Sequence, residues 1–178
     1  MKWVVDPEHS SAGFSVRYLL FATVNGRFKR LGGVVYFDPA DLGHSSVEMK
    51  IDVRSIDTGN QERDNDLCSP AFFDAERHPA ITFKSLHVEA KGSNRARITG
   101  NLIIRGIAHS ADFEFAYSYS AGGSGAGGRS LDFRAQTVIN REAYGMLMDK
   151  DLEAFNALVG KDVRITLDVR LVSEKEAA

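Results

Sequence analysis

The sequence predicts an all-β protein: an eight-stranded antiparallel barrel, with short helices between some strands, occupying residues 1–178 as a single domain. Three observations predict it. Apolar and polar residues alternate with period two through most of the chain, the mark of strands with one buried face. Clusters of Gly, Pro, Asn and Asp cut that alternation into segments of strand length. Many antiparallel strands with one polar face must stack as two sheets or close on themselves, and closure removes the exposed edges.

The strands follow in chain order. Phe14, Val16 and Tyr18 mark the first, and Val34 to Phe37 the second, which ends at the turn residues Asp38 and Pro39. Val47, Met49, Ile51 and Val53 then share one face, opposite Glu48, Lys50, Asp52 and Arg54. Ile81 to Val88 and the set Ile98, Leu102 and Ile104 are β-rich, separated by Gly92-Ser93-Asn94 and closed by Gly106. Ala111, Phe113, Phe115, Tyr117 and Tyr119 alternate with Asp112, Glu114 and Ser118. Leu131 and Phe133 run on to Ile139, and the last strand sets Val163, Ile165, Leu167, Val169 and Leu171 against Asp162, Arg164, Thr166, Asp168 and Arg170. The glycine run at 122–128 between two such strands reads as a hairpin tip.

Two segments break the pattern. The polar stretch from Asn60 to Pro79 predicts one or two short helices crossing between strands, with Pro79 closing them. The segment from Met148 to Gly160 carries Leu152, Phe155 and Val159 at helical spacing, acids in its first turn and Gly160 as a stop, which predicts a short helix packed on the barrel.

A chain of 178 residues buries roughly 70% of the surface its unfolded form exposes, so a sizeable core is available. Its 22 basic and 24 acidic side chains are mixed along the sequence for a net charge of −2, which favours neither nucleic acid nor an anionic membrane. The opening MKWVVDPEHSS meets acidic and turn residues before an apolar stretch can build up, so no secretory signal is expected, and no apolar run reaches the length of a spanning helix. The single cysteine, Cys68, forms no internal disulfide. The cytoplasm is the expected location, although a chain from which a signal had been removed would read the same.

For eight strands a barrel interior is either just filled by side chains or holds one small ligand. The inward residues, and so the candidate binding residues, are Phe14, Val16, Tyr18, Phe37, Met49, Ile51, Phe83, Leu102, Ile104, Phe113, Phe115 and Tyr117, with Phe133 and Leu167 beside them. The pattern alone leaves both readings open: the same residues can pack on one another or line a tunnel.

No catalytic residue is assigned. No serine elbow is present, the glycine run at 122–128 lacks a following Lys-Ser/Thr, and acids before Cys68 are expected to raise its thiol pKa. His9, His44, His78, His87 and His109 lack ligand spacing, so no metal site and no cofactor are assigned. Arg63, Asp64 and Arg141 are expected to join in one partly buried hydrogen-bond network with a structural role.

Four blocks in order give the chain a specific resemblance. Asp6, His9, Ser10, Phe14, Val16, Gly26 and Phe28 form the first, and Ser55, Thr58, Gly59, Arg63, Asp64, Leu67, Phe72, Phe73, Asp74, Pro79 and Phe83 the second. Gly100, Leu102, Ile104 and Gly106 follow, then Asn140, Arg141 and Gly145. In these the chain resembles the YceI-like family of lipocalin-type, polyisoprenoid-binding proteins over nearly its whole length. The resemblance implies a lipocalin-like barrel that binds, sequesters or carries a long-chain isoprenoid, quinone-like molecule or other amphiphile in its interior, and that forms a homodimer. The alternative is an enzyme acting on such a lipid at the barrel mouth. Tyr18 stands where the family often has histidine, and Ile103 and Ala108 where threonine is common, which bears on the identity of the ligand.

Overall fold

In the computed structural model, which describes residues 1–19, 21–121, 129–146 and 159–173, the alternating segments form one antiparallel sheet. Its strands are β1 (Lys2–Val5), β2 (Ser11–Tyr18), β3 (Ala22–Phe28), β4 (Leu31–Tyr36), β5 (Ser46–Asp52) and β6 (Ile56–Asp57). After the helix α1 (Gln61–Cys68) come β7 (Ala80–Gly92), β8 (Arg95–Ile104), β9 (Ile107–Ala121), β10 (Arg129–Asn140) and β11 (Val159–Ser173). No helix among the described residues is long and apolar enough to cross a membrane.

Eight of these strands, in the order β1-β4-β5-β7-β8-β9-β10-β11, close into a ring because β11 pairs back onto β1. The closed eight-stranded barrel is as expected, but the strands composing the ring are not the eight anticipated. Along one edge of β11, β1 covers Leu171 to Ser173 and β2 covers Val159 to Asp168, so the two act as one strand interrupted by the 3-10 turn Pro7–His9. Strands β3 and β6 extend the sheet from β2. These short pieces escape periodicity for simple reasons. Strand β1 directs only Trp3 and Val5 inward, and Gly26 interrupts the alternation Val24 to Phe28 in β3.

Local chemistry explains the other departures. Val53 is buried but lies in a 3-10 turn after β5, where the Asp52 carboxylate accepts from the Arg54 N–H at 2.9 Å. Strand β7 changes parity between Ser85 and His87 through a bulge. Phe83 and Val88 are therefore both buried while Leu86 is exposed, and the Ser85 hydroxyl accepts the Val47 N–H at 2.8 Å. Gly160, expected to end a helix, lies in β11. Val159, also expected in that helix, lies in β11 as well, and the remainder, 148–158, and the glycine run at 122–128 fall outside the described residues.

The outer face carries the charges that face one another across the strands. Glu48 and Lys84, Arg97 and Glu114, Asp132 and Arg170, and Arg134 and Asp168 are direct cross-strand partners, each pair within 2.6–2.9 Å. Lying at the exposed or half-buried outer surface, they add little energy, but like charges opposite one another would penalise a slipped register.

Between Asn60 and Pro79 there is one helix, not two. Asn60 caps it by accepting the Arg63 N–H at 3.0 Å, acids occupy its first turn, and it stops at Ser69 before Pro70, well short of Pro79. Thr58 anchors it. The buried Asp64 carboxylate accepts from the Thr58 N–H at 2.9 Å and from its hydroxyl at 2.6 Å. Arg63 donates to the Thr58 hydroxyl at 2.8 Å and carbonyl at 2.7 Å. Arg141 is not part of this network, contrary to expectation. It follows β10 and, among the described residues, donates to the backbone carbonyls of Met146, Val159 and Gly160.

Two substitutions test this packing. A Cβ at Gly100 would collide with the Lys84 carbonyl and the Phe83 ring, so Gly100→Ala is expected to cost about 1–3 kcal/mol, read by urea unfolding. Asp64→Ala leaves the Thr58 N–H and hydroxyl without their acceptor. A loss of about 2–3 kcal/mol is expected, seen as a fall in Tm of roughly 5–10 °C by circular dichroism.

Candidate functional site: an apolar cavity along the barrel

The inward faces do not fill the barrel. A cavity of about 820 Å³ remains, a volume within the range of small-molecule sites. Along β11 alone its wall runs from Val159 through Val163, Ile165, Leu167 and Val169 to Leu171. That stretch covers roughly 40 Å of strand, or about 30 Å along the axis of a barrel with ordinary strand tilt.

Eleven of the twelve candidate residues line this cavity. Phe14, Val16 and Tyr18 come from β2, Met49 and Ile51 from β5, Phe83 from β7, Leu102 and Ile104 from β8, and Phe113 and Phe115 from β9. Phe37, one residue past β4, also contributes, as do Phe133 and Leu167. Tyr117 does not. It lies beyond the last β8–β9 pair, Arg95 with Ala116, where the barrel wall ends on that side. Its ring instead meets Phe37 edge-on at 5.0 Å and Phe133 at 6.1 Å, forming an aromatic cluster at one end of the cavity. On its other side is a polar recess of about 590 Å³ between the loop at Pro39 to Gly43 and the β7–β8 hairpin.

Sequence reasoning missed part of the wall. Val24 and Phe28 come from β3, whose alternation Gly26 conceals, and Leu67, Phe72 and Phe73 come from α1 and the turns after it. Phe28 packs against both Phe14 and Phe73 with ring centroids 5.7 Å apart. Only three-dimensional folding brings that polar-looking segment over the barrel. Ile103 and Ala108, two of the family departures, prove to be cross-strand partners and do not line the cavity.

The polar side chains in the lining are unevenly distributed. Ser45 lies at the end closed by Phe37, whereas Tyr18, Arg63, Asp66, Ser69 and Arg141 belong to the opposite end. That opposite end is joined through the β8–β9 hairpin, where Arg105 donates to the carbonyls of Pro70 and Phe72 and His109 Nε2 donates to the Ala143 carbonyl at 2.8 Å. The β8–β9 hairpin thus touches both the turns after α1 and the 3-10 turn Arg141–Tyr144.

Burial, chiefly, pushes the Cys68 thiol up. Asp64 and Asp52 add to the effect and Arg54 opposes it, so the acids anticipated from sequence are secondary causes. Burial also raises the Tyr144 phenol, whose ring stands edge-on to His109 at 5.0 Å. Among the described residues, no group of three or more His, Cys, Asp or Glu side chains is placed to hold a metal ion.

Comparison with known proteins places this architecture. The model of the YceI-like domain matches residues 3–171. A UPF0312 protein of Vibrio cholerae is 32% identical over 150 residues, covering 81% of this chain and 77% of the relative. One from Staphylococcus epidermidis is 30% identical over 163 residues, covering 92% of each. Among solved structures, BcnA of Burkholderia cenocepacia superposes with a TM-score of 0.79 at 27% identity, covering 95% of this chain and 99% of that one. A polyisoprenoid binding domain from Saccharophagus degradans shares the fold with a TM-score of 0.69 at 14% identity, covering 96% of this chain and 98% of that one. The closed barrel, the four sequence blocks and the match across nearly the whole chain agree, and the chain belongs to the YceI-like domain family.

Proposed function

We propose that this protein binds an elongated apolar molecule, a polyisoprenoid or another long-chain amphiphile, inside the barrel and carries or sequesters it without chemical turnover. The observation that supports this reading is the cavity: about 820 Å³, walled along the barrel by Val, Leu, Ile, Met and Phe side chains. The polyisoprenoid-binding domain of Saccharophagus degradans, which has the same fold, supports the same ligand class.

The energetics suit a carrier. Enclosing one methylene gains roughly 0.8 kcal/mol relative to water, so a five-carbon isoprene unit contributes about 4 kcal/mol before ordering costs. A bilayer offers the same chain an equally apolar surrounding. The barrel therefore competes only through shape and through contacts to a polar head. Binding is favoured over catalysis because the lining is mostly hydrocarbon and the nearby Cys68 thiol is pushed towards its unreactive protonated form.

Native mass spectrometry of freshly purified protein, with organic extraction of whatever it retains, tests the reading directly. After delipidation, affinity for a homologous series of alkyl or prenyl chains is expected to rise by a constant free-energy step per unit and then level off when the channel is full. The plateau should come late, because a wall of about 30 Å is longer than a strand of five or six residues would give. Chain length without effect on affinity would overturn the proposal. Phe115→Asp places an unpaired carboxylate against the cavity wall, with an expected loss of about 3–5 kcal/mol and of ligand retention. Wild-type stability and ligand content in that variant would count against an inward binding face.

A further inference from the structure

The cavity has two unlike ends. At one, Phe37, Tyr117 and Phe133 pack ring against ring. At the other, the guanidinium groups of Arg63 and Arg141 join Tyr18, Asp66 and Ser69 in the lining.

Arg141 is the more unusual of the two, since it lines an apolar cavity yet is only 6% exposed. A buried charge is costly unless it is paired and hydrogen-bonded. Its Nε donates to the Gly160 carbonyl at 2.9 Å, and its two terminal nitrogens donate to the carbonyls of Met146 at 2.7 Å and Val159 at 3.2 Å. All three acceptors are neutral, and among the described residues no carboxylate forms an ion pair with it. A guanidinium carries five N–H donors, and these bonds orient the group while, among the described residues, they bring it no carboxylate partner.

Arg63 repeats the arrangement from the other wall. Its two bonds go to the hydroxyl and carbonyl of Thr58, again neutral acceptors. The Asp64 carboxylate that might have paired with it is already held by the Thr58 N–H and hydroxyl. The acid in the lining at this end is Asp66, which is exposed and therefore screened by water. The β8–β9 hairpin contacts the segments that carry the two arginines at the same end of the barrel, as described above.

We propose that Arg63 and Arg141 form the head-group end of the tunnel and select amphiphiles whose polar head is an oxyanion, a carboxylate or a phosphate, over neutral or cationic heads. The inference rests on reading the barrel as a binder of long apolar chains, and it adds both the orientation and the charge of the ligand. The chain runs towards Phe37 and Phe133, and the head stays with the arginines. Guanidinium suits this task because its planar fork meets the oxygens of carboxylate and phosphate two at a time.

The test holds chain length constant and varies the head. Delipidated wild-type protein is titrated calorimetrically with hexadecanoate, hexadecyl phosphate, hexadecanol, methyl hexadecanoate and hexadecylamine, each below its micelle-forming concentration. Both oxyanions are expected to bind about tenfold or more tightly than the alcohol and ester, with the amine weakest. In Arg63→Gln, and in Arg141→Gln where its melting curve shows a folded protein, the advantage of the oxyanions should shrink while affinity for the alcohol is kept. Equal affinity for all heads in the wild type would overturn the head-group assignment and leave the apolar tunnel standing. Failure of every compound to bind would instead overturn the tunnel reading, and this inference with it. An oxyanion preference that survives undiminished in Arg63→Gln would remove Arg63 from the site.

Discussion

The pairing of β1 between β4 and β11 closes the sheet, and everything inside the barrel depends on it. Three residues of β1, Trp3 to Val5, pair with Leu171 to Ser173 of β11, and residues Lys2 to Val4 pair with Val34 to Tyr36 of β4. Without that short strand the sheet would have two open edges and its apolar face would have to find another layer. With it, every strand of the ring must send its apolar residues to one enclosed side. Because side chains alternate, a slip of one residue would turn a whole face outward, and the facing charges outside reinforce the register that avoids this.

Closure alone does not create a cavity. Eight strands enclose a space that large side chains can just fill, and here the filling is uneven. Aromatic rings concentrate where Phe37, Tyr117 and Phe133 meet, and again where Phe14, Phe28 and Phe73 meet. Gly26 leaves room for the Phe14 ring opposite it, and Gly100 leaves room for Phe83. Between these clusters aliphatic side chains and the Phe83–Phe113 pair line the space that is left open. The segment from Asn60 to Pro79 lies over the end remote from Phe37 and is held by Thr58 and Arg105. That end is where the polar lining gathers, so one structure combines an apolar interior with a polar, cation-bearing end.

Period-two patterning made the strands with long uninterrupted alternation legible without coordinates. Strands β5, β9 and β11 emerged with the correct inward face, and eleven of the twelve candidate residues do line the cavity. The reason is local: in an extended chain the direction of a side chain follows from parity alone. Where parity was broken, the reading weakened. The bulge in β7, Gly26 in β3 and the brevity of β1 each hid an element or a face. Tyr117 had the correct parity but the wrong place, since where the barrel ends depends on the neighbouring strand.

What the sequence by itself determined was the fold class, the strands with sustained alternation and the family, because each is written in near-neighbour pattern or in ordered motifs. Tertiary structure decided the rest. Whether inward residues fill the barrel or line it depends on the summed shapes of side chains from many strands. The placing of Arg63 and Arg141 in the lining of one cavity, 78 positions apart in the chain, depends on how the ring closes and on the β8–β9 hairpin contacting two distant turns. Local pattern carries no record of such distances. They are set only when closure fixes every strand against its neighbours.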